Sequence, residues 1–233
     1  MSITVFDPNQ IILHIPHNST YIPEEYRRIF YLDDEQLTGE LLRMTDSYTN
    51  ELFQIPDIPM GNRIIFPYSR LLCDVERFRD DRMEPMAAMG MGVCYRVTSA
   101  LKPLKSVTDF HTDEMLAWYD RHHDALTDIT TRIREESGTA LLLDRHSFAS
   151  NQLPYEAASN GQSSLLRPDI CIGTDPGYHT PSWLSDYMEN AFKRMGYSVA
   201  INKPFAGTMV PMKYYHRERR ILSIMLRKLQ WEP

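Results

Sequence analysis

Residues 139–148 read TALLLDRHSF, and the junction inside this run decides the fold class. TALLL is a short, uninterrupted apolar stretch of the kind that forms a strand buried on both faces. The chain then passes at once to Asp144, Arg145 and His146, side chains that carry charge or can hold a proton or a metal. The same arrangement recurs along the chain. Residues 10–14 run through IILH into HIPHNST, which carries His14 and His17. Residues 169–172 run into GTDPGYHTP with Asp175, and residues 197–201 into NKPFAGT with Asn202. Residues 64–66 and 221–226 are further strand-like runs. The segment SRLLCDVERF, residues 69–78, reads as a strand or extended stretch ending in charge.

Helical patterns separate these runs. Residues 33–53 place Leu37, Leu41, Met44, Tyr48 and Leu52 at i+3/i+4 spacing behind an Asp33–Asp34 cap. Residues 112–136 do the same with Met115, Tyr119, His122, Leu126, Ile129 and Ile133. A third helix is bounded by Thr180 and Pro181 at its start and by Gly196 just past its end. Strands alternating with helices predict an α/β fold, with a mostly parallel or mixed central sheet flanked by helices. In open sheets of this class ligands bind beyond the carboxyl ends of the strands. That gathers histidine, carboxylate and amide groups at one sheet edge. Residues 83–94, with four methionines and two glycines, read either as a loop packed over the core or as a mobile cover over a binding site.

With 233 residues and no compositional seam, the chain is expected to form a single domain over residues 1–233, and 42% hydrophobic residues supply its core. The net charge of −6, with both signs mixed along the chain, argues against nucleic acid or an anionic membrane as the partner. A small anionic substrate is compatible with it, since one or two local Arg or Lys residues suffice to bind one. Cys73, Cys94 and Cys171 form no CxxC pair and read as reduced, mostly buried thiols. The opening MSITVFDPNQ lacks the basic head and apolar run of a signal peptide, and no run approaches a membrane span of about 20 apolar residues. A cytoplasmic protein is expected.

His, Asp and Glu are ligands that suit zinc, and a catalytic zinc takes three protein ligands and a water. His17, Glu76 and His146 are the set that the strand ends bring forward. Asp144, two residues before His146, either orients that imidazole or is itself a ligand. Glu76 could equally pair with Arg77, and His14, inside the first strand, could be a hydrogen-bonded structural histidine. His122 and His123 line or flank the long helix, either in the core or near a substrate. His111, His179 and His216 read as surface residues, and Arg79, Asp80, Asp81 and Arg82 as a solvated loop. GxSxG, GxxxxGK[ST] and GxGxxG are all absent, which removes support for a serine hydrolase or a nucleotide-binding protein.

Seven segments, taken in order, resemble the N-formylglutamate amidohydrolase family. They are HIPHNS (14–19), SRLLCDVERF (69–78), DDRMEPMAAMGMGVCY (80–95), WYDRHHDAL (118–126), LLDRHS (142–147), PDICIGTD (168–175) and NKPFAGTMVP (202–211). The resemblance implies a fold related to zinc exopeptidases and hydrolysis of the amide bond of an N-acyl amino acid such as N-formyl-L-glutamate, giving formate and glutamate. It implies a divalent metal, zinc first, on His17, Glu76 and His146, though such ligands also accept manganese, iron or cobalt. It puts Arg70, Arg77 and Asn202 on the substrate carboxylates, with Asp175 beside them, and Asp144 and His123 at the chemistry. The chain departs from the family near its end. A strand of the type SIMIEINRxLY, whose glutamate is placed to act as general base, is replaced by SIMLRKLQWEP (223–233). Either Arg227 takes the glutamate's position or a few residues are missing, leaving Glu218, Asp175 or Glu232 as remaining carboxylates. An enzyme without that base would be slow, or the chain a binding protein for a small carboxylate; a hydrolase of the same fold acting on another amide or peptide bond is the third alternative.

Overall fold

The computed structural model describes residues 6–52, 55, 57–161 and 166–230; the expected role of Glu232 falls outside them. Six strands form one sheet: β1 Ile11–Ile15, β2 Arg63–Ile65, β3 Ala140–Phe148, β4 Ile170–Gly173, β5 Val199–Ile201 and β6 Ile221–Leu229. Their order is β2-β1-β3-β6-β4-β5. The helices are α1 Glu24–Arg27, α2 Asp34–Met44, α3 Thr49–Leu52, α4 Asp109–Ser137, α5 Pro154–Asn160 and α6 Ser182–Arg194. The α/β expectation with a mixed sheet holds. Among the described residues no helix is long and apolar enough to cross a membrane.

Strand direction corrects one step of the sequence reasoning. β1, β2, β3 and β6 are parallel, but β4 runs antiparallel to β6 and carries β5 with it. The carboxyl ends of β4 and β5 therefore leave the sheet at the edge opposite those of β1 and β3. A strand buried on both faces reads the same in either direction, so ICIG and VAI carried no sign of the reversal.

β3 is the spine. Its expected five apolar residues continue through DRHSF, and β3 pairs with β6 from Ala140↔Ile221 to Phe148↔Leu229. Strand side chains alternate between faces. Leu141 and Leu143 join Ile11, Leu13, Ile172, Ile224 and Leu184 of α6 in one buried cluster. Ala140 and Leu142 join Ile12, Ile64, Leu126 and Ile133 under α4 in another. Each fully buried aliphatic side chain contributes about 1.5–3 kcal/mol. Asp144 and His146 continue the α4 side of β3, as His14 continues that of β1. The site is therefore built on the α4 face.

α4 is set by sequence-local signals. Thr108 caps it in a reciprocal capping box with His111, and Gly138, at φ 76°, ends it in the left-handed region. Its buried residues Met115, Tyr119, His122, Leu126, Thr130 and Ile133 follow the helical repeat. The helix expected over 33–53 instead breaks after Met44. Thr45 turns extended at φ −88° and ψ 132°, and the Asp46 amide donates to the His17 carbonyl at 2.9 Å. Thr45, Asp46 and Ser47 are residues whose side chains compete with helical bonding. Residues 69–78 form turns rather than a strand, organised by the Asp74 side chain described next.

Candidate metal centre

Three elements converge on the α4 face. β1 and its following loop deliver His14 and His17, β3 delivers Asp144 and His146, and the turn after Asp74 delivers Glu76. One ligand atom each from His17, Glu76 and His146 lies within 4.8 Å of the others. Glu76 Oε2 is 3.1 Å from His146 Nε2 and 4.0 Å from His17 Nδ1. Two ligands on a tetrahedral ion, each about 2.1 Å from it, stand roughly 3.4 Å apart, so the spacing suits a single zinc-sized ion.

The other nitrogen of each imidazole is held by a carboxylate. His17 Nε2 donates to Asp74 Oδ1 at 2.8 Å, and His146 Nδ1 donates to Asp46 Oδ2 at 2.7 Å. These bonds fix the tautomers, leaving His17 Nδ1 and His146 Nε2 as the lone-pair nitrogens when the rings are neutral. His17 Nδ1 is buried and has no hydrogen-bond partner among the described residues. An orphaned nitrogen of this kind, beside a carboxylate and a second imidazole, is what a cation would satisfy. A second cluster, His14, Glu76 and Asp144, also has ligand-like spacing. It suits a metal less well, since His14 Nδ1 is bound to Asp144 at 2.8 Å and Nε2 to His122 at 2.9 Å. His14 is thus seated as the structural histidine of the two sequence alternatives.

The charges around the ligands agree. Burial disfavours a charged His146, yet Glu76 and then Asp144 outweigh burial and the repulsion of Arg227, and hold its affinity for a proton well above the usual range. The position of His146 Nε2 favours positive charge. Burial likewise works against ionised Asp46, but the bond from His146 and the nearness of both His146 and His17 keep its carboxyl below the usual range. Asp144 is held well below by His146 and His14 against its burial. Burial pushes the His122 imidazole down to about 2, helped by the facing His14.

Asp74 organises the whole 69–78 turn. One oxygen takes His17 and the Glu76 amide at 3.0 Å. The other takes Arg70 Nη2 at 2.7 Å and the Tyr95 hydroxyl at 2.5 Å. Arg77 Nε stands 3.4 Å from that second oxygen. Burial opposes the ionised form, but Arg70, His17 and Arg77 hold it well below the usual carboxylate range. Sequence reasoning missed both Asp46 and Asp74. The signal for Asp74 was an acid inside an apolar run, with Arg70 four residues before and Arg77 three after. For Asp46 it was the Thr-Asp-Ser triplet interrupting a helical stripe.

The other expected site residues divide. Arg70 and Arg77 border a cavity of about 880 Å³ that reaches Glu76, His123, Asp144 and Arg227, but both are engaged with Asp74 and Tyr95. His123 lines the cavity with Nε2 donating to the Val75 carbonyl at 2.8 Å, which leaves Nδ1 as acceptor. Burial lowers its affinity for a proton despite that bond. Asn202 lines the cavity too, yet its amide is spent on Thr174, at 2.9 Å to the backbone N–H and 2.7 Å to the hydroxyl. Asp175 is not brought to the site. It leaves β4 at the far edge and pairs with His216 at 3.0 Å. His179, expected at the surface, is fully buried, donating from Nδ1 to the Ile221 carbonyl and accepting the His216 amide at Nε2. The three cysteines are free thiols, with Cys73 and Cys171 buried.

A family model described as N-formylglutamate amidohydrolase matches residues 9–227, which include every element of this site. The chain belongs to that family. The fold of this amidohydrolase-family chain is shared with solved structures. An N-formylglutamate amidohydrolase from Ralstonia eutropha aligns with a TM-score of 0.76 at 20% identity, covering 95% of this chain and 82% of that one. The gene product Atu2144 from Agrobacterium tumefaciens aligns with a TM-score of 0.64 at 18% identity, covering 96% and 83%. No curated protein matches the chain.

Proposed function

We propose that the chain is a metal-dependent amidohydrolase that cleaves the amide bond of a small, anionic N-acyl amino acid, N-formyl-L-glutamate being the family's reference substrate. The observation that carries this reading is the pair of imidazoles, each pinned by a carboxylate and each turning its other nitrogen toward Glu76. His17, Glu76 and His146 would hold the metal, zinc first. A divalent ion there supplies Lewis-acid polarisation of the scissile carbonyl and makes water acidic enough to attack near neutral pH.

The residues around it divide the remaining work. Asp46 and Asp74 fix the tautomer and the angle of the imidazoles and raise their basicity toward the metal. Asp144 stays ionised, accepting from His14 Nδ1 at 2.8 Å on one oxygen and from the Met209 amide at 3.2 Å on the other, so it orients rather than shuttles. His123 is the proton carrier. Its Nε2–H is committed to Val75, its Nδ1 is free to accept a proton, and burial keeps it neutral at working pH. It takes the proton from the attacking water and returns it to the departing amine nitrogen. Arg227, opposite His146 in the β3–β6 ladder, favours a second reading, a binding protein, since a guanidinium cannot act as base where the family has a carboxylate.

The test is metal content and turnover of N-formyl-L-glutamate and related N-formyl amino acids, for the wild type, His17→Ala and His146→Ala. About one ion per chain, lost with turnover in both variants, supports the hydrolase. One ion with no turnover on any of these amides supports the binding protein, and no ion after zinc addition sinks the metal site itself.

A further inference from the structure

The cavity is larger than N-formyl-L-glutamate requires, and part of its lining is apolar. At about 880 Å³ it stands near the top of the range of roughly 300–1,000 Å³ that encloses drug-sized ligands. Two loops that border it, around 78–86 and 204–212, bring Phe78, Met83, Met86, Phe205 and Met212 to its lining. Phe78, Met83 and Met212 are well exposed, and exposed apolar side chains gathered at a cavity indicate a ligand. Thioethers are adaptable and take apolar groups of varied shape.

The arginines of the cavity differ in how far they are engaged. Arg70 is bonded to Asp74 and Tyr95 and Arg77 to Tyr95, with Asp74 close by, and Arg79 is bound through two nitrogens to Asp120 at 2.7 and 2.9 Å. Arg227 differs. Its nearest acid is Glu76 at 3.7 Å, its Nε meets Met225 Sδ at 3.1 Å, and its guanidinium lies 4.3 Å over the Phe205 ring. The aromatic face sets the plane of the fork and leaves its Nη donors for an anion. Lys213 also borders the cavity but is exposed, where an ion pair is worth little. A second carboxylate would lie among thioethers, with Asp124 and Glu156 also on the lining.

We propose that the substrate is an N-acyl amino acid with a single carboxylate, gripped by Arg227, and a bulky apolar group lodged among Phe78, Met83, Met86, Phe205 and Met212. This rests on the amidohydrolase reading for the bond that is cut, but not for the binding preference. On this view the residue that departs from the family pattern selects the substrate.

The experiment measures both properties on the zinc-loaded protein: kcat/KM and equilibrium dissociation constants for N-formyl-L-phenylalanine, N-formyl-L-methionine and N-formyl-L-glutamate. The apolar compounds are expected to bind about tenfold or more tightly than the glutamate compound. Arg227→Gln should weaken all three by roughly tenfold or more, with Arg227→Lys recovering part of the loss. Met212→Gln, a neutral change at an exposed position, should weaken the apolar compounds more than the glutamate compound. Turnover with equal or better use of the glutamate compound overturns the inference and leaves the amidohydrolase reading standing. The expected binding order without turnover does the reverse. Binding unchanged in Arg227→Gln removes the anchor.

Discussion

Replacing Asp74 by asparagine tests the organisation of the site most severely. The carboxylate is fully buried and accepts from His17, Arg70, Tyr95 and the Glu76 amide, with Arg77 close by. Asp74→Asn keeps the shape, removes the charge and points an amide N–H₂ at one group of donors. Breaking a buried ion pair from one side costs about 3–5 kcal/mol. At about 2–4 °C per kcal/mol for a chain of this size, Tm should fall by roughly 6–20 °C. Zinc affinity should fall about 10–100-fold, as for other carboxylates that orient metal-bound histidines. Asp46→Asn is the control. It binds His146 at 2.7 Å and the Ser147 amide at 3.3 Å, while Arg70 is 3.8 Å away. It should lose a similar factor in zinc affinity with a smaller drop in Tm. The pH dependence follows from the sign of the shift. The Asp74 carboxyl is depressed in the folded protein, so its contribution is complete above the unfolded value of ~3.9 and is lost as pH falls through the folded one. The wild type's advantage over Asp74→Asn should shrink below about pH 4. Thermal unfolding monitored by circular dichroism and zinc competition with a chromogenic chelator measure both effects. An Asp74→Asn protein that melts within 2 °C of the wild type, an approximate limit well below the 6 °C expected, and binds zinc equally would refute the reasoning.

Three further outcomes are expected. His123→Gln should lower kcat about 10²–10⁴-fold with metal content unchanged; loss of metal instead would show that His123 is structural. Zinc binding near pH 7 should release about one proton per site, because the metal-free fold holds His146 protonated and the metal needs it neutral. Calorimetry in buffers of different ionisation enthalpy reads that number, and zero release would contradict the assignment. The same raised affinity stabilises the metal-free fold below His146's unfolded value of ~6.5, a contribution lost as pH rises through the folded value. Gly173→Ala should destabilise by about 1–3 kcal/mol and weaken ligand binding, since a Cβ there would lie 2.2 Å from the Gly207 carbonyl oxygen. Denaturant unfolding would measure it, and an unchanged midpoint would contradict the close packing of that loop.

Much of the architecture was legible because burial leaves a period. TALLL, IILH and ICIG read as buried strands from their apolar runs, and α4 shows its stripe, though it starts three residues earlier than the stripe alone marked. His17, Glu76 and His146 were legible as ligand types beside such runs, and they do meet. What stayed hidden depended on direction and on partners distant in sequence. The reversal of β4 moved Asp175 to the far edge without a trace in its apolar residues. His179 is buried only because a backbone carbonyl 42 residues on and the His216 amide satisfy its ring. Asp46 and Asp74 passed unnoticed, inside an expected helix and an expected extended stretch, because the imidazoles they hold lie 100 and 57 residues away.

The change of direction at β6 also divides the molecule for anyone who wishes to alter it. The loop after β4 emerges at the edge away from the histidines, and its tip, Gly177, is exposed with open space around it at φ 79°. A fluorophore or a short inserted peptide at that tip would sit just past a strand bonded directly to β6, toward the end of the sheet opposite the carboxyl ends of β1 and β3. Such a label would report unfolding of the spine without obstructing what enters the cavity.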